Sequence, residues 1–146
     1  MGKTATCDKF YQLIGEIFQA NGKLLANGDQ LSAKHGLTGA RWQVLGALQL
    51  EQRPLTVAQI ARRMGLQRQS VQRLVDIMIK QGILNGLPNP EHKRAKLVEL
   101  TQRGKAVCEQ LMETKQCWAA EIIQDFSCEE LERAIHVLKK LGERLD

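Results

Sequence analysis

Apolar positions recur at helical spacing along most of this 146-residue chain. In the first long segment they are Phe10, Leu13, Ile14, Ile17, Phe18, Leu24, Leu25 and Leu31. That pattern predicts a long helix with one apolar side. Gly15, Gly22 and Gly28 each weaken it by about 1 kcal/mol relative to Ala, so it needs packing to persist. The stretch "HGLT" ends it, with Gly36 placed as a C-terminal cap and Thr38 as the N-cap of a second helix. This helix runs through "GARWQVLGALQL", with Trp42, Leu45 and Leu48 or Leu50 as core contacts. "EQRPL" predicts a loop.

Thr56 then opens a third helix, and "TVAQ" has capping-box form with Gln59 at the reciprocal position. Val57, Ile60, Ala61 and Met64 give it a narrow buried stripe, and Gly65 stops it. A fourth helix begins near Gln67 or Arg68, with Val71, Leu74, Val75, Met78 and Ile79 inward and a close at Gly82. "ILNGLPNPEHKRAKLVEL" predicts a strand, a turn at Pro88, Asn89 and Pro90, and a second strand at about Ala95 to Leu100. Thr101 caps a long helix whose apolar side holds Val107, Leu111, Trp118, Ala119, Ile122, Ile123 and Phe126. Ser127 caps a last one, striped by Leu131, Ala134, Ile135, Leu138, Leu141 and Leu145. Glu129 and Glu130 suit its N-terminal dipole.

The charge is uneven along this frame. Residues 53–105 hold 11 Lys/Arg against 3 Asp/Glu, a balance of +8, while residues 1–52 carry +1 and residues 106–146 carry −4. The basic block falls on the third and fourth helices and the hairpin, which favours a polyanionic partner. Two short helices joined by a tight turn, followed by a hairpin, predict a winged helix-turn-helix. The apolar side of the fourth helix fixes it to the core. Its other side carries Gln67, Arg68, Gln69, Ser70, Gln72 and Arg73, side chains suited to base edges and phosphates in a major groove. Gln69, Ser70 and Gln72 suit base edges and Arg73 a phosphate. The helix N-terminus itself favours an anion. Lys93, Arg94 and Lys96 put cations on the wing, where a minor groove would take one of them. The Thr56 backbone N–H is a further candidate phosphate donor.

These segments resemble the multiple-antibiotic-resistance regulator (MarR) family. The likeness rests on "LTGARWQVLGAL", then "LTVAQIARRMGLQRQSVQRLVDIMIKQGIL", then "NPEHKRAKLVELTQRG". It implies a mainly α fold: a three-helix core and β-hairpin wing, with N- and C-terminal dimerisation helices. The resulting division is residues 1–36 for the N-terminal dimerisation helix, 37–102 for the DNA-binding lobe and 103–146 for the C-terminal dimerisation helices. The resemblance also implies a homodimeric repressor on a near-palindromic site in double-stranded DNA, with its two recognition helices about 34 Å apart. Release would come from a small aromatic or phenolic effector bound between the dimer helices and the lobe. Arg94 takes the position that meets the minor groove. One departure concerns the wing. Where the family has an acidic residue before two arginines, this chain has His92 before Lys93 and Arg94. The steadying ion pair is therefore absent, and the wing is expected to be more mobile or mildly pH-sensitive.

Other chemistry finds little support. His35, His92 and His136 are scattered, no glycine-rich phosphate loop follows a strand, and no nucleophile–base pair stands out, so catalytic residues, cofactor and metal are all expected to be none. Cys7, Cys108, Cys117 and Cys128 lack zinc spacing. They read as three small helix-packing residues and one near a terminus. The alternative is a thiol-based redox-sensing repressor of the same fold, acting through Cys7. The chain has no apolar run long enough to span a bilayer and no secretory signal, so it reads as cytoplasmic, without a membrane partner.

Overall fold

The computed structural model describes residues 2–146. Its helices are α1 (Gly2–Ala33), α2 (Gly39–Glu51), α3 (Val57–Met64), α4 (Arg68–Lys80), α5 (Gln102–Ile122) and α6 (Cys128–Leu145). Its strands are β1 (Leu55–Thr56), β2 (Leu84–Leu87) and β3 (Leu97–Leu100), and a 3-10 turn (Ile123–Asp125) follows α5. The fold is mainly α, a winged helix-turn-helix with further helices at both ends. One compact unit extends to Leu111 and a second spans Met112–Asp146.

Local chemistry sets the helix ends of the first unit. Gly36 adopts φ +70°, and the N–H of Leu37 reaches back to the Ser32 carbonyl at 3.0 Å, closing α1. Two residues later the Thr38 hydroxyl accepts from Arg41 N and opens α2. Gly65, at φ +65°, ends α3 and turns the chain into α4 within three residues. Here a side chain with a Cβ would be strained. Gly82, at φ +73°, ends α4 in the same way.

The core is built from inward residues of α2, α3, α4 and the sheet. Val44, Leu45, Leu55, Ile60, Val71, Val75, Met78 and Leu84 are fully buried or nearly so. The stripe of α3 is inward as its spacing predicts, with Met64 packed against the cluster's edge. On α2 the choice falls on Leu48, which is buried, while Leu50 is 73% exposed. Val44 and Ala47 join the buried face, so α2 is covered more widely than its spacing suggested. On α4 Ile79 turns outward, because burial there ends with Met78.

Strand β3 is central. It pairs antiparallel with β1 on one side and with β2 on the other. Leu55, expected in a loop, lies opposite Val98 and is buried. The strand starts at Leu97 rather than near Ala95, because Leu97 is the last residue opposite both Thr56 and Leu87. Beyond it the chain enters the wing tip, where Asn89 Oδ1 accepts from Glu91 N at 3.1 Å and the Asn89 carbonyl accepts from His92 N.

Two close approaches tie the flanking helices to this core. A Cβ on Gly28 would stand 2.9 Å from the Trp42 ring, so α1 meets α2 closely there. Asp29 Oδ1 accepts from Gly39 N at the start of α2. At the other end Thr101 caps α5 by accepting from Gly104 N at 3.0 Å, and its one hydroxyl proton is shared between the carbonyls of Gly82 and Ile83. A Cβ on Gly104 would overlap the Ile83 carbonyl oxygen.

The second unit holds the end of α5, the 3-10 turn and α6. The expected long helix stops at Ile122, and Phe126 N bonds to the Ile123 carbonyl in the tighter turn that follows. Ser127 and Glu130 form a full capping box at the head of α6. The apolar stripe of α6 is exposed at Leu131, Ile135, Leu138 and Leu145. Of the four cysteines only Cys108 is buried; Cys117 and Cys128, expected to pack between helices, are exposed, as is Cys7.

Gly104→Ala is expected to lower stability by about 1–3 kcal/mol, because a backbone carbonyl must move to admit the methyl group. Urea unfolding measures it; a midpoint equal to wild type at the same m-value contradicts the close approach.

Candidate nucleic-acid interface

The surface begins with the way α4 is held. Val71, Val75 and Met78 anchor one side in the core. This leaves Arg68, Gln69, Ser70, Gln72 and Arg73 outward, and all five are exposed, as is Gln67 before them. Gln67 is the N-cap but makes no side-chain cap bond, and no acidic residue sits in the first turn. The helix therefore starts with N–H groups that lack a side-chain acceptor.

Strand β3 brings the wing beside this face. A cleft of about 620 Å³ runs between the start of α3, one side of α4 and the hairpin. Thr56, Arg68 and Gln72 line it from the helix pair, and His92, Arg94 and Lys96 from the wing. Five of the ten residues singled out from sequence, Thr56, Arg68, Gln72, Arg94 and Lys96, thus line one concave surface. Gln67, Gln69, Ser70 and Arg73 lie outside that lining, on the exposed surface of α4 or just before it. Lys93 is exposed at the wing tip, also outside the lining.

The electrostatics are one-sided. Among the described residues, Arg68, Arg73, Lys93, Arg94 and Lys96 make no ion pair. Their neighbours in sequence differ: Arg53 and Arg63 both pair with Glu51, at 3.7 and 3.2 Å. Within the basic block Glu51 thus neutralises Arg53 and Arg63, while the cations on α4 and the wing are left open. A set of unpaired cations on one face repels itself and gains from a polyanion.

Two details decide which groups of this surface are free. The Thr56 N–H, expected to be available to a phosphate, donates to Gln59 Oε1 at 2.9 Å, while the Thr56 hydroxyl accepts from Gln59 N at 3.2 Å. The capping box itself engages that donor, leaving the N–H groups of Val57 and Ala58 as the candidates. Second, Gln72 Nε2 donates to Asp76 Oδ1 at 2.9 Å. Glutamine and aspartate at i and i+4 are a recognisable helix pair, and that spacing was the available signal.

Among the described residues no group of three or more His, Cys, Asp or Glu is arranged to hold a metal ion, and no helix is long and apolar enough to cross a membrane.

A tight helix pair, a basic hairpin bound to it through β3, and an open cationic face define a DNA-binding transcription regulator of the winged-helix class. The MarR family model matches residues 35–95, and a protein of Mycobacterium tuberculosis is 36% identical over 106 residues, 73% of each chain. The chain belongs to the MarR family, whose members regulate transcription and are not enzymes. It is also similar to the transcriptional activatory protein BadR of Rhodopseudomonas palustris, 29% identical over 136 residues, covering 89% of this chain and 76% of that one. In fold it matches a mutant MarR from E. coli complexed with operator DNA, with a TM-score of 0.74 and 24% identity, over 92% of this chain and 96% of the other.

Thr56→Ala removes the hydroxyl half of the α3 capping box. The expected loss is about 1 kcal/mol of stability. Thermal unfolding measures it, and an unchanged midpoint would show that the box does not hold α3.

Proposed function

We propose that the chain is a homodimeric repressor that binds a near-palindromic operator in double-stranded DNA. Gln69, Ser70 and Gln72 read base edges in the major groove, with Gln67 and Arg68 beside them. Arg73 contacts phosphate, as do the N–H groups at the start of α3 next to Thr56. Arg94 enters the adjacent minor groove, and Lys93 and Lys96 flank it. The observation that carries this reading is the single open face formed by α4 and the wing, with its cations unpaired.

Dimerisation is supported by apolar side chains that the described chain leaves uncovered. Phe10, Phe18 and Leu24 are exposed on α1, and Leu131, Ile135 and Leu138 on α6. Patches of that kind mark association surfaces. Residues 1–36 and 103–146 would form the dimer helices and residues 37–102 the DNA-binding lobe. Two lobes per assembly then meet successive major-groove faces about 34 Å apart.

Release by a small aromatic or phenolic ligand follows from the family likeness. A ligand that prefers a lobe spacing unfit for DNA shifts the population toward the free form. Repression rather than activation is the simplest outcome of such a device. BadR carries an activatory name, so the sign is tested by transcription from the selected operator with and without the protein.

Arg94→Ala is expected to weaken operator binding by about 1–3 kcal/mol while the dimer stays intact. Fluorescence anisotropy at moderate salt, with sedimentation as control, measures both; equal affinity refutes the wing contact. Titrating the operator complex with a panel of phenolic and aromatic acids is expected to release DNA for at least one of them. A panel that leaves the complex intact at millimolar ligand removes the effector assignment.

A further inference from the structure

Asp76 is the one carboxylate on α4, and it stands on a face that otherwise carries cations and amides. Facing a polyanion it is repulsive, so its presence needs a cause. Among the described residues it makes no ion pair, although Arg68, Arg94 and Lys96 line the same cleft. It accepts instead from Gln72 Nε2, one turn earlier.

An ionised carboxylate only accepts, whereas a glutamine amide has a donating and an accepting end. The bond therefore fixes which end of the Gln72 amide turns to Asp76. One N–H of Nε2 is engaged, and Oε1 with the second N–H remains for another partner. Adenine offers a donor at N6 and an acceptor at N7, which match that pair. Guanine offers two acceptors, O6 and N7, so Oε1 would meet O6 acceptor to acceptor. A freely turning amide would escape the clash by presenting its NH₂ group to guanine. Asp76 opposes that turn, because the turn puts Oε1 against the carboxylate.

We propose that Asp76 is a positioning residue for sequence reading: by holding the Gln72 amide in one orientation, it makes the protein prefer adenine to guanine at the base Gln72 meets. The inference rests on the DNA-binding reading above and adds to it the direction of the preference. The carboxylate also repels phosphate, so Asp76 trades some affinity for every duplex against discrimination among them.

Asp76→Asn separates this from a structural role. Asparagine still bonds Gln72 along the helix, but it accepts or donates, so both amide orientations become acceptable. The full chain, Asp76→Asn, Gln72→Ala and the double variant are each used to select duplexes from a random pool. Each is then titrated with the wild-type site and with its adenine-to-guanine derivative at the position that Gln72→Ala relaxes. Wild type is expected to favour adenine by about tenfold. Asp76→Asn should bring that ratio near one and raise affinity for random duplex at low salt. In the Gln72→Ala background Asp76→Asn should leave the ratio unchanged. An equal adenine-to-guanine ratio in wild type and Asp76→Asn overturns the proposal, and so does a gain in affinity uniform over all sequences. A wild-type chain that enriches no site defeats the DNA-binding reading itself; one that enriches a site Asp76→Asn leaves unaltered defeats only the role of Asp76.

Discussion

Val98 lies opposite Leu55 on one side and opposite Gly86 on the other. Through this one buried residue and its strand, the segment that leads into α3 and the segment that follows α4 become parts of one sheet. The wing therefore does not hang from the helix pair as a free loop. Its base pairs through β3 with the segment that caps α3, since Thr56 lies opposite Leu97. Every functional argument about a joint surface of α4 and wing depends on that pairing. A three-stranded sheet with one buried face is a far better anchor than an isolated hairpin, which is marginal in water.

The anchor makes the charge pattern meaningful. Five cations without carboxylate partners would be unremarkable if each sat on its own mobile segment. Held on two elements that share a strand, they form a fixed field, and fixed fields act on a polyanion without the entropic cost of gathering them. Glu51 takes Arg53 and Arg63 out of that field. Asp76 remains within it, bonded to an amide rather than to a cation. In the proposed reading, long-range attraction and short-range base reading fall on different side chains of this surface.

Much of the frame was legible because its punctuation is chemical. Thr38, Thr56 with Gln59, and Ser127 each cap where a small hydroxyl precedes an apolar repeat. Gly36, Gly65 and Gly82 each stop a helix at positive φ. What escaped is non-local. A two-residue strand has no period to detect, and the partner of Leu55 is Val98, far along the chain. The outward turn of Leu50 and Ile79 depends on how widely neighbouring elements cover α2 and α4. Cys117 and Cys128 looked like packing residues because small size suits a helix contact; their exposure reflects which faces the chain covers. At the interface the residue types were legible from spacing and charge. The engagement of the Thr56 N–H by Gln59 was implicit in the capping box legible in "TVAQ"; which end of the Gln72 amide meets Asp76 depended on side-chain orientation, which spacing does not fix.

The central claim is that α4 and the wing together neutralise a duplex, once per protomer. The most direct measurement is the salt dependence of duplex affinity for the intact chain, with the assembly state followed in parallel. With up to five open cations from each protomer of the proposed dimer, log K should fall linearly with log salt, with a slope of about −5 or steeper. A slope near zero, or no duplex bound in dilute buffer, would contradict the account.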